Sequence, residues 1–210
     1  MKFQTLYQNI IDGDAAGAEA EVRAALEAGV SAETLLNTAL IPAMDEVGRL
    51  FEAGEVFVPE MLVAAHAMQG ALNVLRPLLA ETGKEPVGRV AIGTVAGDLH
   101  DIGKNLVGLM LEGAGFEVID LGVDVSADHF VRAERDGVHV IGMSALLTTT
   151  MPAIRSSLEA LVESGVRDRV KVIIGGAPVT QAFADEVGAD GYAPDAASAV
   201  RLTKGLLGLG

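Results

Sequence analysis

Residues 89–105, RVAIGTVAGDLHDIGKN, decide how this chain folds. They begin with an apolar run over residues 89–95 that is rich in β-branched side chains, and this composition predicts a buried strand. A polar turn bounded by Gly97 and Gly103 follows, and the periodic apolar stretch over residues 101–113 predicts a helix. A buried strand that leads directly into a helix is the repeating unit of a parallel sheet.

The same alternation of strand and helix continues along the chain. Four more runs have the composition of strands, and four more stretches have helical periodicity. The predicted strands cover residues 117–121, 138–144, 170–175 and 189–193, and the predicted helices cover residues 127–136, 152–164, 179–187 and 196–207. Five strand–helix units in succession predict a doubly wound, five-stranded parallel sheet with helices on both faces.

The first 84 residues have a different composition. They are dense in alanine, leucine and glutamate, which favour helices. Asp14 and Ser31 are predicted to begin two of these helices, and Pro59 lies in the first turn of another. The predicted helices cover residues 3–11, 14–28, 31–50 and 58–79. A polar linker over residues 81–86 then separates an all-α helical bundle cap, residues 1–84, from an α/β domain, residues 85–210.

Composition excludes several classes of function. The chain has 210 residues, no cysteine and a net charge of −14, so disulfides and thiolate metal sites are ruled out and a nucleic-acid partner is not expected. Its first residues hold one lysine and no sustained apolar run, which is not typical of a secretory signal. No stretch approaches the roughly 18 apolar residues of a membrane span. We therefore expect a cytoplasmic protein without a membrane partner.

Polar side chains and glycines gather where the predicted strands end. Ligands of open α/β sheets bind beyond the carboxyl ends of the strands, so these residues are the candidates for a binding site. His100 follows the first strand, two residues after Asp98, and a carboxylate beside an imidazole is typical of histidines that bind metals. On this local sequence alone, a capping or solvent-exposed histidine remains an alternative.

Two further stretches lie at the ends of later strands. The threonines at residues 148–150 offer hydroxyl groups for a ligand or a helix N-cap, and the glycines at 175 and 176 allow either the close approach of a ligand or an ordinary turn. Neither the dinucleotide-binding glycine pattern nor a phosphate-binding lysine loop occurs, so nucleotide binding lacks its usual signatures. The other histidines, His66, His129 and His139, lie in patterns typical of ordinary helix and surface positions.

Taken in order, three short motifs resemble those of the cobalamin-binding module. They are D-x-H-x-x-G at residues 98–103, S-x-L at residues 144–146 and G-G at residues 175–176. Residues 47–60, VGRLFEAGEVFVPE, are similar to the helical cap that precedes this module in methionine synthase and in the corrinoid proteins of methyltransferase systems. The resemblance spans residues 3–207 and implies a helical cap followed by a flavodoxin-like (Rossmann-like) α/β domain.

The resemblance also implies a role for each motif residue. His100 would be the lower axial ligand of cobalt in place of the cofactor's own base (base-off, His-on). Asp98 would bond the other ring nitrogen, and Thr150 would extend this relay at a position where methionine synthase has serine. Phe51 and Val58 would cover the upper face of the corrin ring. The residues implied in cofactor binding are Phe51, Val58, Gly97, Asp98, Leu99, His100, Asp101, Ile102, Gly103, Ser144, Leu146, Thr148, Gly175, Gly176, Tyr192 and Ala196.

The implied function is that of a corrinoid methyl carrier. Such a protein takes a methyl group on cobalt from a substrate-specific methyltransferase and delivers it to a second methyltransferase, with tetrahydrofolate or a thiol as acceptor. At 210 residues the chain holds the cap and the cofactor domain but no methyltransferase barrel, so we expect a carrier subunit and not a stand-alone enzyme. The expected cofactor is cobalamin, as methylcobalamin or another corrinoid, and a reductive activator is the third expected partner.

Three alternatives remain open. A cobalamin-dependent sensor or regulatory protein shares the same cap and module, although its light-sensing members place a tryptophan over the cofactor and this chain has none. The small subunit of a carbon-skeleton mutase has the module but not usually this cap. A flavodoxin-like protein that binds no corrinoid would share the fold alone.

Overall fold

The computed structural model describes residues 3–81 and 86–209. The chain divides into two compact units. The first, which we call the helical unit, comprises Met1–Pro86 with Glu112–Gly115, and the second, the sheet unit, comprises Val87–Leu111 with Phe116–Gly210. The predicted domain boundary, between residues 84 and 85, lies outside the described residues.

The helical unit is built from helices that begin where the sequence predicts. The side chain of Asp14 accepts the N–H of Gly17 at 2.9 Å, and Ser31 accepts the N–H of Thr34 at 3.2 Å. These bonds satisfy backbone donors that the start of a helix leaves unpaired. The helices are α1 (Gln4–Ile11), α2 (Ala15–Glu27), α3 (Ala32–Leu35), α4 (Ile41–Glu52) and α5 (Val58–Glu81). The predicted helical bundle is confirmed.

A π-helical segment, Leu36–Leu40, joins α3 to α4 without a break in the helix. It ends just before Pro42, which lies in the first turn of α4 and has no backbone N–H to donate. We attribute the wider turn to this missing donor, since the helix must relax where an α-helical hydrogen bond cannot form. The sequence predicts one helix over residues 31–50, and the apolar spacing on which that prediction rests does not reveal the irregular turn.

The sheet unit is a five-stranded parallel sheet with helices between its strands. Its strands are β1 (Arg89–Val95), β2 (Glu117–Val125), β3 (Val140–Ser144), β4 (Lys171–Gly175) and β5 (Gly191–Ala193), in the order β2-β1-β3-β4-β5. Its helices are α6 (Ile102–Gly113), α7 (Ala127–Ala133), α8 (Met151–Glu163), α9 (Gln181–Val187) and α10 (Ala196–Leu206). Because β2 and β3 flank β1 on opposite sides, the winding reverses there, and such sheets bind ligands at this reversal. The predicted doubly wound, flavodoxin-like sheet is confirmed.

The second strand is longer than the sequence predicts. The predicted strand ends at residue 121, whereas β2 continues to Val125. Its pairing with β1 shifts twice, because Ile92 pairs with Asp120, Gly93 with Gly122 and Val95 with Val125. The end of β2 therefore contains extra residues relative to β1, which is a bulged, irregular edge.

The apolar core of the sheet unit lies on the central strands. β1 and β3 are buried along nearly their whole length and β4 at its three central residues, as expected for parallel strands covered by helices on both faces. Phe130 of α7 is fully buried, and a Cβ atom added to Gly93 would lie 3.1 Å from its ring. This close packing explains the glycine inside a buried strand. Among the helices of residues 3–81 and 86–209, none combines the length and the apolar character needed to cross a bilayer.

Candidate functional site

The carboxyl ends of four parallel strands lie in one row along an edge of the sheet. Thr94 pairs with Ser144, Ser144 with Gly175, and Gly175 with Ala193. Because the strands end together, the loops that follow them meet at the same edge. The structure thus brings together candidate residues that the sequence places on four separate strands.

Asp98 and His100 lie in the loop between β1 and α6. Nδ1 of His100 is 2.7 Å from Oδ1 of Asp98, and the same oxygen accepts the backbone N–H of His100 at 3.1 Å. The Asp98 side chain has no solvent exposure, whereas 51% of the His100 side chain is exposed. Because the carboxylate accepts the Nδ1 proton, Nε2 of the neutral ring keeps its lone pair for an external partner.

The second oxygen of Asp98 is held by the loop that follows β3. Oδ2 accepts the backbone N–H of Leu146 and the hydroxyl of Thr150, both at 2.7 Å. Burial raises the pKa of Asp98, but these hydrogen bonds and those from His100 outweigh it and hold the pKa of this carboxyl well below its usual range. Asp98 is therefore an ionised carboxylate that divides its two oxygens between an imidazole and a hydroxyl.

Thr150 is buried directly before α8. Its side chain does not cap the helix; its Oγ1 lies 2.7 Å from Oδ2 of Asp98 and 2.9 Å from the backbone oxygen of Leu147. A hydroxyl has one proton to donate, and the charged carboxylate is the stronger acceptor. Of the two alternatives for the threonine run, the structure excludes a side-chain N-cap at this position.

Three residues that sequence analysis did not single out support the same loop. Thr94 is fully buried, and its hydroxyl donates to the backbone oxygen of His100 at 2.9 Å. Lys104, in the first turn of α6, has a side chain only 2% exposed and bonds Asp120 of β2 at 2.5 Å. Burial raises the pKa of Asp120, but the bonds from Lys104 and Gly122 outweigh it and lower the pKa overall. Polar residues inside apolar runs were the signal that could have revealed Thr94 and Lys104.

The glycines of the site differ in what they accommodate. A Cβ atom on Gly175 would lie 2.9 Å from the backbone oxygen of Ala193, and one on Gly176, whose φ is +121°, would lie 1.8 Å from that of Ala145. The packing of the sheet's own backbone therefore explains both glycines. Gly103 is different, because a Cβ atom there would meet nothing within 4 Å.

The other predicted site residues of the sheet unit range from exposed to buried. Leu99 and Ile102, on either side of His100, are 71% and 81% exposed. Leu146 and Thr148 are exposed after β3, Ser144 is half-buried at its end, and Asp101 is half-buried before α6. Tyr192 is half-buried against the core, Ala196 is buried at the start of α10, and Gly97 donates its N–H to Asp124 at 2.7 Å.

The helical unit holds the remaining two predicted residues. Phe51 is half-buried near the end of α4, and Val58, the first residue of α5, is 41% exposed. Their neighbours Phe57, Leu62 and Val63 are 64%, 40% and 49% exposed, and sequence analysis did not single them out. A group of exposed apolar side chains is suited to contact a ligand or a partner. The apolar run at the start of α5 was the signal for it.

The residues around His100 fit a corrinoid. A large, flat and mostly apolar ring with a central metal requires one nitrogen donor, apolar surroundings and free space beside the donor. Nε2 of His100 is the donor, Leu99 and Ile102 expose apolar side chains next to it, and the open space at Gly103 leaves room for a bulky group. The buried partner Asp98 fixes the ring's tautomer, as metal-binding histidines require.

Known proteins show the same motifs and fold. The family profile described as B12 binding domain matches residues 88–201, and a second profile of that description matches residues 2–76. A corrinoid protein of Desulfitobacterium hafniense is 42% identical over 207 residues, 97% of this chain and 96% of that protein. Dimethylamine corrinoid protein 3 of Methanosarcina mazei is 49% identical over 166 residues, 78% of this chain and 99% of that protein.

A solved structure is similar over nearly the whole chain. The methanol:cobalamin methyltransferase complex of Methanosarcina barkeri contains a chain with a TM-score of 0.85 and 30% identity, covering 97% of this chain and 78% of that one. Together these similarities confirm the predicted resemblance, the fold and a corrinoid as the cofactor.

Proposed function

Since this chain belongs to the B12-binding corrinoid proteins of methyltransferase systems, we propose that it is a methyl carrier whose corrinoid is held base-off with His100 as the lower axial ligand of cobalt. The bound corrinoid supplies a metal centre that accepts a methyl group from one enzyme and releases it to another. The observation that carries the proposal is the hydrogen-bonded chain from His100 through Asp98 to Thr150.

His100 has one nitrogen committed and one available. Nδ1 donates to Oδ1 of Asp98, which fixes both the tautomer and the orientation of the ring. The lone pair of Nε2 is then directed away from this bond, on a side chain that is half exposed. These are the two conditions that a histidine needs to ligate a metal carried by a bound cofactor.

Asp98 and Thr150 control the proton on the ligand. Because its hydrogen bonds hold the pKa of Asp98 below its usual range, the carboxylate stays ionised and the shared proton remains on Nδ1 of His100. The hydroxyl of Thr150 donates to the other carboxylate oxygen and spreads its charge. How strongly the imidazole donates through Nε2 depends on this proton, so all three residues tune the axial bond.

The remaining predicted residues surround the cofactor in this proposal. Residues at the ends of β3, β4 and β5 would line the slot for the cofactor's displaced base, and loop residues beside His100 would contact the ring. The proposed slot residues are Ser144, Leu146, Thr148, Gly175, Gly176, Tyr192 and Ala196. The proposed ring contacts are Gly97, Leu99, Asp101, Ile102 and Gly103, with Phe51 and Val58 from the helical unit.

Two similar proteins suggest the class of methyl donor. One is named for dimethylamine, and the other is a complex that acts with methanol and cobalamin. We therefore propose a methylamine or methanol methyltransferase as the donor enzyme and a second methyltransferase, with tetrahydrofolate or a thiol, as the acceptor enzyme. A reductive activator completes the set. The net charge of −14 suits docking on basic partner surfaces.

The test is the electron paramagnetic resonance spectrum of the chain reconstituted with cob(II)alamin. With ¹⁵N-labelled histidine, a His-on cofactor changes the nitrogen splitting of the cobalt signal from a triplet to a doublet. His100→Ala should lose this change, whereas His129→Ala, which removes an exposed histidine on α7, should keep it. Methyl transfer is then assayed with purified methylamine and methanol methyltransferases.

Two results would contradict parts of the proposal. A labelled wild-type protein whose splitting stays a triplet would exclude histidine ligation, whatever the chain's affinity for cobalamin. A His-on protein that neither class of donor enzyme methylates would leave the ligation in place and overturn the proposed donor.

A further inference from the structure

The irregular end of β2 directs one carboxylate at the loop that carries His100. Asp124 has a φ of +52° and is the one non-glycine residue with a positive φ in the described ranges 3–81 and 86–209. A residue with a side chain adopts this conformation at a cost, although aspartate and asparagine tolerate it best. Bulges beside functional sites commonly change the direction of a side chain. The unusual φ of a residue at this position therefore calls for a functional explanation.

Asp124 makes two hydrogen bonds to the turn that precedes His100. Its Oδ1 accepts the backbone N–H of Gly97 at 2.7 Å, and its own N–H donates to the backbone oxygen of Asp98 at 3.0 Å. One residue thus holds consecutive positions of the turn from both its side chain and its backbone. The turn itself is closed by the N–H of Asp98, which donates to the oxygen of Val95 at 3.1 Å.

The position of this turn determines the position of the imidazole. Asp98 is fully buried, and its carboxylate is also held by Leu146 and Thr150, so its side chain cannot adjust if its backbone moves. His100 is bonded to Asp98 through both its ring and its backbone N–H. A displacement at Gly97 or Asp98 would therefore be transmitted to Nδ1 of His100.

We propose that Asp124 is a positioning residue for the axial ligand: by holding Gly97 and Asp98 it sets the orientation in which His100 meets cobalt. The inference rests on the proposed ligation by His100. A second carboxylate of β2 acts on the same segment, since Asp120 holds Lys104 in the first turn of α6. The bulged strand thus holds the loop on both sides of the histidine, with Asp124 bonded to Gly97 and Asp98 before it and Asp120 bonded to Lys104 after it.

Two substitutions separate the hydrogen bond from the backbone conformation. Asp124→Gly keeps the positive φ without strain and removes the acceptor for Gly97, so it is expected to fold. Asp124→Asn removes the charge but keeps an oxygen acceptor in a residue that tolerates the same φ. Asp128→Asn, an exposed position in the first turn of α7, is the control for loss of a nearby charge.

The first readout is the ratio of histidine-ligated to unligated cobalt(II) in the labelled spectrum. Because a charge-assisted hydrogen bond is lost, Asp124→Gly should lower this ratio roughly tenfold. Asp124→Asn should restore most of it, and Asp128→Asn should match the wild type. The second readout uses the chain without cofactor: the ¹⁵N shifts of the His100 ring should indicate the Nδ1–H tautomer in the wild type and in Asp124→Asn, and mixed tautomers in Asp124→Gly.

Asp124→Gly with the wild-type cobalt ratio and tautomer would overturn the inference. An Asp124→Asn variant with the same low cobalt ligation ratio and mixed tautomers as Asp124→Gly would overturn it too, because restoring the acceptor should restore the site. A wild-type chain without histidine-derived splitting would instead overturn the proposed ligation, and the inference with it. The two failures are distinguishable, since one appears only in the variants and the other in the wild type.

Discussion

The hydroxyl of Thr150, directly before α8, lies 2.7 Å from the buried carboxylate of Asp98, in the loop after β1. The side chain that orients His100 is therefore itself oriented from a different strand–helix unit. The methyl group of threonine does not prevent this contact, so the hydroxyl that a serine would offer is available here. Whether the imidazole is held thus depends on the packing of two loops against each other, and substitutions in either loop should affect it.

Removing the hydroxyl of Thr150 should destabilise the folded chain. Thr150→Val keeps the shape but leaves an oxygen of a buried carboxylate with one donor fewer, at a cost of about 1–3 kcal/mol in unfolding free energy. Thr150→Ser should recover most of that loss. The measurement is urea denaturation, with the exposed Thr149→Val as control, expected within about 0.5 kcal/mol of wild type. Equal stability of Thr150→Val and wild type would contradict the role of this bond.

The stability of the chain should depend on the ionisation of Asp98. Its pKa is lower in the folded chain than in the unfolded one, where it is about 3.9, so the folded state binds fewer protons in acid. The stabilisation is complete above about pH 5 and is lost progressively as the pH falls toward the folded pKa. Asp98→Asn should flatten the fall in unfolding free energy below that pH, measured by urea titrations, while Thr149→Val keeps the wild-type slope. Parallel slopes for Asp98→Asn and wild type would exclude this linkage.

Two glycines of the site should respond in opposite ways to alanine. Gly176→Ala should lower the unfolding free energy by about 3 kcal/mol or more, since it combines a φ of +121° with a clash against Ala145. Gly103→Ala, in a helix with open space beside it, should stabilise the cofactor-free chain by about 0.5–1 kcal/mol. The same variant should bind cobalamin more weakly in spectroscopic titration if the ring occupies that space. Unchanged affinity would remove Gly103 from the proposed ring contacts.

Removing Lys104 and removing Asp120, the two partners of one ion pair, should cost unequal amounts of unfolding free energy. The Asp120 side chain is 55% exposed and can be hydrated when its partner is lost, whereas Lys104, at 2%, cannot. Asp120→Ala should therefore cost about 3 kcal/mol or more by leaving a buried ammonium unpaired, and Lys104→Met should cost clearly less. Thermal or urea unfolding of both single variants and the double variant measures this. Equal losses of unfolding free energy in the two single variants would show that water reaches Lys104 once Asp120 is removed.

Local patterns predicted the framework of the site but not its supports. The strand over residues 89–95 and the pair Asp98 and His100 are contiguous in the chain, so composition and motif identify them together. The contacts of Asp124 depend on strand pairing and on two register shifts in β2, which no short stretch of sequence encodes.

The sequence also left the role of the paired glycines, Gly175 and Gly176, undecided. Their sequence allowed either a ligand or an ordinary turn, and the distances from Gly175 to Ala193 and from Gly176 to Ala145 give the backbone's own reason for them. The exposed apolar group around Phe57 was likewise missed, because helical periodicity identifies buried positions better than exposed ones.

The irregular end of β2 also has a consequence for solubility. β2 is the outermost strand on its side of the sheet, and such strands can pair with another copy of the chain through unsatisfied backbone groups. Two register shifts make this border irregular, and it carries charged side chains, since Glu117 pairs with Arg89 and Asp120 pairs with Lys104. We therefore expect the distortion that directs Asp124 toward the histidine loop also to disfavour pairing of this edge with another copy of the chain.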